Sequence, residues 1–258
     1  MTAKNGKARR VALVTGGASG IGAATVDELL ADGWSIAIAD IDPTALAAAR
    51  ERWAGNPAVR IDALDVTDEP ATEKLVAAIE RELGPIDGVV NSAGIAADRH
   101  VFDTPVALMR KIIDINVVGT FIVGRAAARS MAKRKRGAIV NIASISGLRG
   151  SKGRSAYGAS KGAVVVMSQV MANDLARYGI RVNAVAPGPV ETPMVKAVHA
   201  DSDRVLWHRF IPMRRYGQPR EIASVIAFLL DEQRSSYLTG EVIAVDGGFR
   251  GSGINVPD

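Results

Sequence analysis

Short apolar runs, rich in β-branched residues, alternate with longer segments of helical period along almost the whole chain. Few folds accept that pattern. "RVALVT" (10–15) reads as a strand, and "IGAATVDELLADG" (21–33) as a helix closed by Gly33. "SIAIAD" (35–40) is a second strand, followed by a helix opening at the "DPTA" of Asp42 to Ala45. "AVRIDALDV" holds a third strand and "EPATEKLVAAIERELG" a third helix; "IDGVVNSAG" is a fourth strand. A long helical region then runs roughly from Pro105 to Arg136, "AIVNIAS" is a fifth strand, and residues 156–178 form another helix. "IRVNAVAPG", "PREIASVIAFLLD" and "GEVIAVDGG" complete the series as strand, helix and strand.

Near-continuous apolar strands separated by helices require a parallel sheet covered on both faces. Two architectures of this size satisfy that, an eight-fold α/β barrel and an open, doubly wound sheet. The first turn decides between them. "TGGASGIG" (Thr15 to Gly22) follows the first strand directly and opens the first helix. Its Gly16, Gly20 and Gly22 let backbone approach a pyrophosphate, whose charge suits a helix N-terminus. The expectation is therefore a Rossmann-type α/β fold of about seven strands in three layers. No linker or repeat interrupts the pattern, so 1–258 reads as one domain, with a substrate-loop insertion at about 190–217.

The second strand ends in Asp40, 24 residues after Gly16. A carboxylate there accepts hydrogen bonds from adenine-ribose hydroxyls and repels a 2′-phosphate. Neither Ile41 nor Ser19 offers that phosphate a cation. NAD is expected over NADP.

"SAYGASKG" (155–162) places Tyr157 four residues before Lys161, on one face of a helix. A free tyrosine, with a pKa of about 10, is a poor base at neutral pH. A neighbouring ammonium and a cationic nicotinamide ring would both favour the phenolate. Ser144, at the carboxyl end of the fifth strand, would project into the crevice where such sheets bind ligands.

TGxxxGIG, "NSAG" at 91–94, the strand-end Ser144 and YxxxK, in this order, resemble the short-chain dehydrogenase/reductase family. "PGPVET" (187–192) and "TGEVIAVDGG" (239–248) resemble its later segments, so the similarity spans about residues 9 to 249. "NSAG" departs from the commoner NNAG at a supporting position.

The resemblance implies roles for matching residues. Ser144 would hold the substrate oxygen, Tyr157 would exchange a proton with it, and Lys161 would assist. Asn116, in "DINVVG", would link Lys161 to solvent through a water. Cofactor contacts would come from Gly16, Ser19, Gly20, Ile21 and Gly22, from Asp40, and from Asp65 and Val66 after the third strand. Asn91, Ala93 and Gly94 would form the cofactor-side turn, while Pro187, Gly188, Val190 and Thr192 would hold the nicotinamide end. Tyr157 and Lys161 would touch the cofactor too. The implied activity is NAD-linked interconversion of a secondary alcohol, such as a polyol or sugar, and its ketone. A 3-oxoacyl-carrier-protein reductase and a non-catalytic dinucleotide-binding protein are the alternatives; the latter would be expected to lack Tyr157 or Lys161. A homotetramer, packed through the long helices, is also implied.

Composition limits the rest. With 48% apolar and 23% charged residues the chain is an ordinary globular protein, and without cysteine it has no disulfide or thiolate chemistry. Net charge is +5, but the clearest basic run, "KRKRG" (133–137), reads as the last turn of a helix. No aromatics interleave with it, so nucleic-acid binding is not expected. His100, His199 and His208 are too scattered for a metal site, though the last two fall where they could touch substrate. The apolar stretch "VALV" is too short for a signal peptide, and no run suits a membrane span, so a cytoplasmic protein is expected.

Overall fold

The apolar runs become seven parallel strands: β1 (Val11–Thr15), β2 (Ser35–Asp40), β3 (Val59–Ala63), β4 (Ile86–Asn91), β5 (Gly137–Ile142), β6 (Ile180–Pro187) and β7 (Val242–Val245). They lie side by side in the order β3-β2-β1-β4-β5-β6-β7. The order reverses beside β1, at the crevice where open sheets of this kind take their ligands. The sheet has two free edges, which excludes the barrel. These features come from a computed structural model that describes residues 9–198 and 201–252.

Among the described residues ten α-helices connect the strands: α1 (Gly20–Ala31), α2 (Pro43–Arg52), α3 (Glu69–Glu82), α4 (Val106–Ile113), α5 (Thr120–Arg134), α6 (Ser155–Ala176), α7 (Pro193–Val198), α8 (Asp201–Phe210), α9 (Pro219–Leu230) and α10 (Glu232–Ser235). Strand side chains alternate between faces. Val11 and Leu13 therefore join Ile79 of α3, Met131 of α5 and Met171 of α6 in one core. Ala12 and Val14 join Leu29 of α1, Ala49 of α2 and Ile226 of α9 in the other. This gives the three layers expected from the sequence.

Helix ends follow local chemistry. Asp42 accepts from the amides of Thr44 (2.8 Å) and Ala45 (3.4 Å) ahead of Pro43, which needs no amide partner. Lys133 and Arg134 occupy the last turn of α5, and Lys135 closes it in the left-handed conformation (φ 51°). The basic run thus sits at the negative end of a helix dipole, as read from the sequence.

The long helical region of the sequence is not one helix. Asp114–Gly119 forms a π-helical turn between α4 and α5. Its last residue, Gly119, passes so close to the end of β3 that an added Cβ would stand 2.5 Å from Val66 Cγ2. The wider turn carries Asn116, which is buried. No helix of the described residues is long and apolar enough to cross a membrane.

Candidate active site

A cavity of about 570 Å³ opens at the carboxyl ends of the strands. Its floor is the turn between β1 and α1. Gly16 has φ +61°, and an added Cβ would lie 2.8 Å from the nitrogen and Cα of Ala93. Only glycine meets both demands. Thr15 ties the same corner down, its carbonyl accepting from the Ser92 amide (3.2 Å) and its hydroxyl from the Ala93 amide (3.3 Å). Gly22 does not line the cavity; it packs the helix onto the turn, where a Cβ would stand 2.1 Å from the Gly16 carbonyl oxygen. Ser19 makes no side-chain bond to the first turn of α1, so the helix N-terminus presents its amides toward the cavity. That cradle fits a pyrophosphate.

At one end of the cavity Asp40 is fixed by three backbone donors: Ala18 (3.2 Å), Ile41 (2.8 Å) and Asp42 (3.2 Å). Ile41 beside it is 64% exposed, and Asp65 and Val66 form the adjoining wall. Two lysines line the cavity, Lys111 and Lys161, and neither neighbours Asp40 in the chain. At the other end lie Ser144, Tyr157, Pro187, Gly188, Val190 and Thr192. Gly20 and Thr192 approach across the floor, an added Cβ on the glycine lying 3.5 Å from Thr192. A dinucleotide fits this outline, with its charge on the α1 amides and its ribose hydroxyls at Asp40.

Ser144 lies two residues past β5 with extended backbone, and its oxygen accepts from the Ser146 amide at 3.1 Å. The Ser144 hydroxyl also hydrogen-bonds the phenol of Tyr157. Burial pushes the Tyr157 pKa up; the Ser144 bond and the Arg154 guanidinium pull it down, and the Asp98 carboxylate pushes it up. Lys161, 6% exposed, donates to the Ile142 carbonyl at 2.7 Å, and burial lowers its pKa to about 8. Its ammonium lies 5.9 Å from the Tyr157 ring centroid. The Arg154 guanidinium is thus a second cation of the chain beside the phenol, one that the sequence pattern does not single out.

Asn116 meets this cluster from behind. Its amide clasps Ile95, accepting from the Ile95 nitrogen (2.8 Å) and donating to the Ile95 oxygen (2.9 Å), and it donates to Ser160 Oγ (3.0 Å). An added Cβ on Gly94 would lie 3.0 Å from Asn116 Oδ1 and 3.6 Å from Lys161 Nζ, so these three residues converge. Asn91 is the last residue of β4. Its amide donates to Asn141 Oδ1 (2.9 Å) and the Thr120 carbonyl (3.4 Å), and its side chain does not line the cavity. The register pairs Asn91 with Asn141, so the two side chains join across strands rather than facing the cofactor side.

Residues absent from the sequence expectation also line the cavity, among them Ile95, Lys111, Ile115 and Ile142. Ile95 and Ile142 directly follow or end strands already singled out, and that adjacency was the available signal. The segment at 190–217 forms α7 and α8, of which Met194 and Val195 line the cavity. Trp207 packs at a tilt against Phe249 (centroids 5.2 Å apart), and Arg149 lies over the same Phe249 (5.8 Å). His208 meets the edge of Tyr216 (5.5 Å), while His199 falls outside the described residues. No cluster able to hold a metal ion is found among the described residues.

The chain resembles known oxidoreductases in sequence and in fold. The family profile described as enoyl-(acyl carrier protein) reductase matches residues 16–250. The chain is 38% identical to the 3-oxoacyl-(acyl-carrier-protein) reductase FabG of Thermotoga maritima over 242 residues, covering 93% of this chain and 97% of that protein. It is 41% identical to the cis-4-hydroxycyclohexanecarboxylate dehydrogenase of Sinomonas cyclohexanicum over 246 residues, covering 94% and 97%. The crystal structure of levodione reductase superposes with a TM-score of 0.88 at 35% identity, covering 94% of this chain and 98% of that one.

Proposed function

This chain belongs to the short-chain dehydrogenase/reductase family of oxidoreductases, which use a nicotinamide dinucleotide, and on that premise we propose that it is an NAD-linked dehydrogenase interconverting a secondary alcohol and its ketone. One observation carries the reading. The hydrogen-bonded pair of Ser144 and Tyr157 shares a cavity with the carboxylate of Asp40, at opposite ends of a space of dinucleotide size.

In this reading the alcohol oxygen sits between the Ser144 hydroxyl and the Tyr157 phenol. The bound nicotinamide supplies the hydride acceptor. Tyr157 takes the hydroxyl proton as the C–H bond breaks, and Ser144 stabilises charge developing on the oxygen. The proton leaves past Lys161 and Asn116, and reduction runs the same path backwards. Asp40 selects NAD, since its carboxylate, fixed by three amides, would face a 2′-phosphate with no cation beside it. Apolar Met194 and Val195 on the wall suit an uncharged carbon skeleton.

We take the chain as one catalytic unit, with 190–217 as its substrate segment, working in the cytoplasm. Homotetramer formation has support in exposed apolar pairs at helical spacing, Val118 with Phe121 and Val166 with Val170, on the two long helical regions. Reduction of 3-oxoacyl-carrier substrates is the second reading, favoured by the likeness to FabG.

The test is a cofactor-fluorescence screen with NADH and NADPH, followed by turnover of secondary alcohols, polyols, cyclic ketones and a 3-oxoacyl thioester. Tighter NADH binding with turnover of a simple alcohol–ketone pair is expected. Preference for NADPH with turnover confined to the thioester would establish the second reading. Binding without turnover on any of them would point to a non-catalytic dinucleotide-binding protein.

A further inference from the structure

We propose that Arg154 and Asp98 act as an opposed charge pair on the phenol of Tyr157, with Arg154 a positioning residue that favours the phenolate and Asp98 the group that restrains it. The inference rests on the reading of Tyr157 as the proton carrier.

The geometry is local and built. Arg154 is the residue before α6, three positions ahead of Tyr157, so both side chains lie over the same helical face. Its guanidinium carbon is 5.4 Å from the Tyr157 ring centroid, and its side chain is only 12% exposed. Arg154 Nε meets Asp98 Oδ1 at 2.5 Å. The backbone repeats this clasp: the Arg99 amide donates to the Gly153 carbonyl at 2.9 Å, and Arg99 pairs with Arg154 as a parallel bridge. Two loops, one leaving β4 and one entering α6, are therefore joined by charge and by backbone beside the phenol.

The groups facing Tyr157 come from three elements. Ser144 approaches from just past β5, Arg154 and Lys161 from the N-cap and body of α6, and Asp98 from the loop after β4. Ser144 and Arg154 draw the phenol pKa down, whereas burial and Asp98 raise it. A guanidinium keeps its charge throughout the working pH range. Lys161, with a pKa near 8, does not, and it is bonded to the Ile142 carbonyl. Arg154 is thus the constant positive charge that the chain itself places near the phenol, and Asp98 sets how much of it Tyr157 experiences.

The pair makes a signed prediction for the Arg154→Gln and Asp98→Asn variants, read as the pH profile of kcat/KM for alcohol oxidation. That reaction needs the phenolate, so its acid limb reports the Tyr157 pKa. Loss of Arg154 should move the limb to higher pH and loss of the Asp98 charge to lower pH, each by on the order of one unit. Arg154→Lys, which retains the charge, should stay near wild type. NADH affinity should change little in all three. The tyrosinate absorbance of each variant, less that of its Tyr157→Phe counterpart, reads the same displacement without turnover. Displacements of the same sign in Arg154→Gln and Asp98→Asn, or lower rates with unmoved limbs, would overturn the pair. Near-normal turnover in Tyr157→Phe would instead overturn the mechanism on which it rests.

Discussion

Lys161 donates a hydrogen bond to the Ile142 carbonyl at 2.7 Å from a position 6% exposed, with no carboxylate beside it in an ion pair among the described residues. An ammonium held this way is stabilised by one backbone dipole and penalised by lost hydration. Its pKa accordingly falls from 10.5 to about 8.

That depression has a consequence for stability. Between pH 8 and 10.5 the folded chain binds fewer protons at this site than the unfolded chain does. The site's contribution to stability therefore rises with pH across that window, and its penalty is complete below it. Relative to Lys161→Met, the wild type should gain on the order of 3 kcal/mol between the two limits. Urea unfolding of both proteins at several pH values measures the difference; a flat difference would mean that the amine is better solvated than its burial indicates.

Asp40 should set both affinity and choice of cofactor. Replacing it with Ala removes a charged acceptor and should weaken NADH binding about 10- to 100-fold. Adding Ile41→Arg should turn the preference toward NADPH, since a guanidinium would meet the 2′-phosphate where Ile41 is exposed. Fluorescence titration with each cofactor reads both effects.

Gly16 should tolerate no side chain. Gly16→Ala places a Cβ 2.8 Å from Ala93 and demands φ +61° of an alanine. The expected cost is roughly 1–3 kcal/mol of stability together with loss of NADH binding. Denaturation and titration on the same sample separate the two effects.

The fold was legible because each strand is a short apolar run and each helix has its own boundary signal, such as Asp42 before Pro43. Gly16 and Asp40 were legible because a turn and a strand end confine them. Other features depend on tertiary partners. Arg154 takes its meaning from Asp98, on a loop far away in sequence, and its one local clue was the three-residue spacing to Tyr157. The π turn at Asn116 adds a residue to a helical stretch, which a periodic pattern does not reveal. Asn91 faces Asn141 through strand register, a relation no single segment contains. The segment 145–155 begins with a 3-10 turn at Ile145–Gly147 and ends at the Arg154–Asp98 pair, again a partner from a distant loop.

The account stands most directly on the phenol of Tyr157. Its Tyr157→Phe variant keeps the ring and loses only the hydroxyl that meets Ser144. Turnover with NAD and the best alcohol found in the screen should fall by about 10²–10⁴-fold, the usual share of general acid–base catalysis, or vanish. NADH affinity, measured by fluorescence on the same preparation, should be unchanged. A variant that binds NADH and retains near-normal kcat would contradict the mechanism.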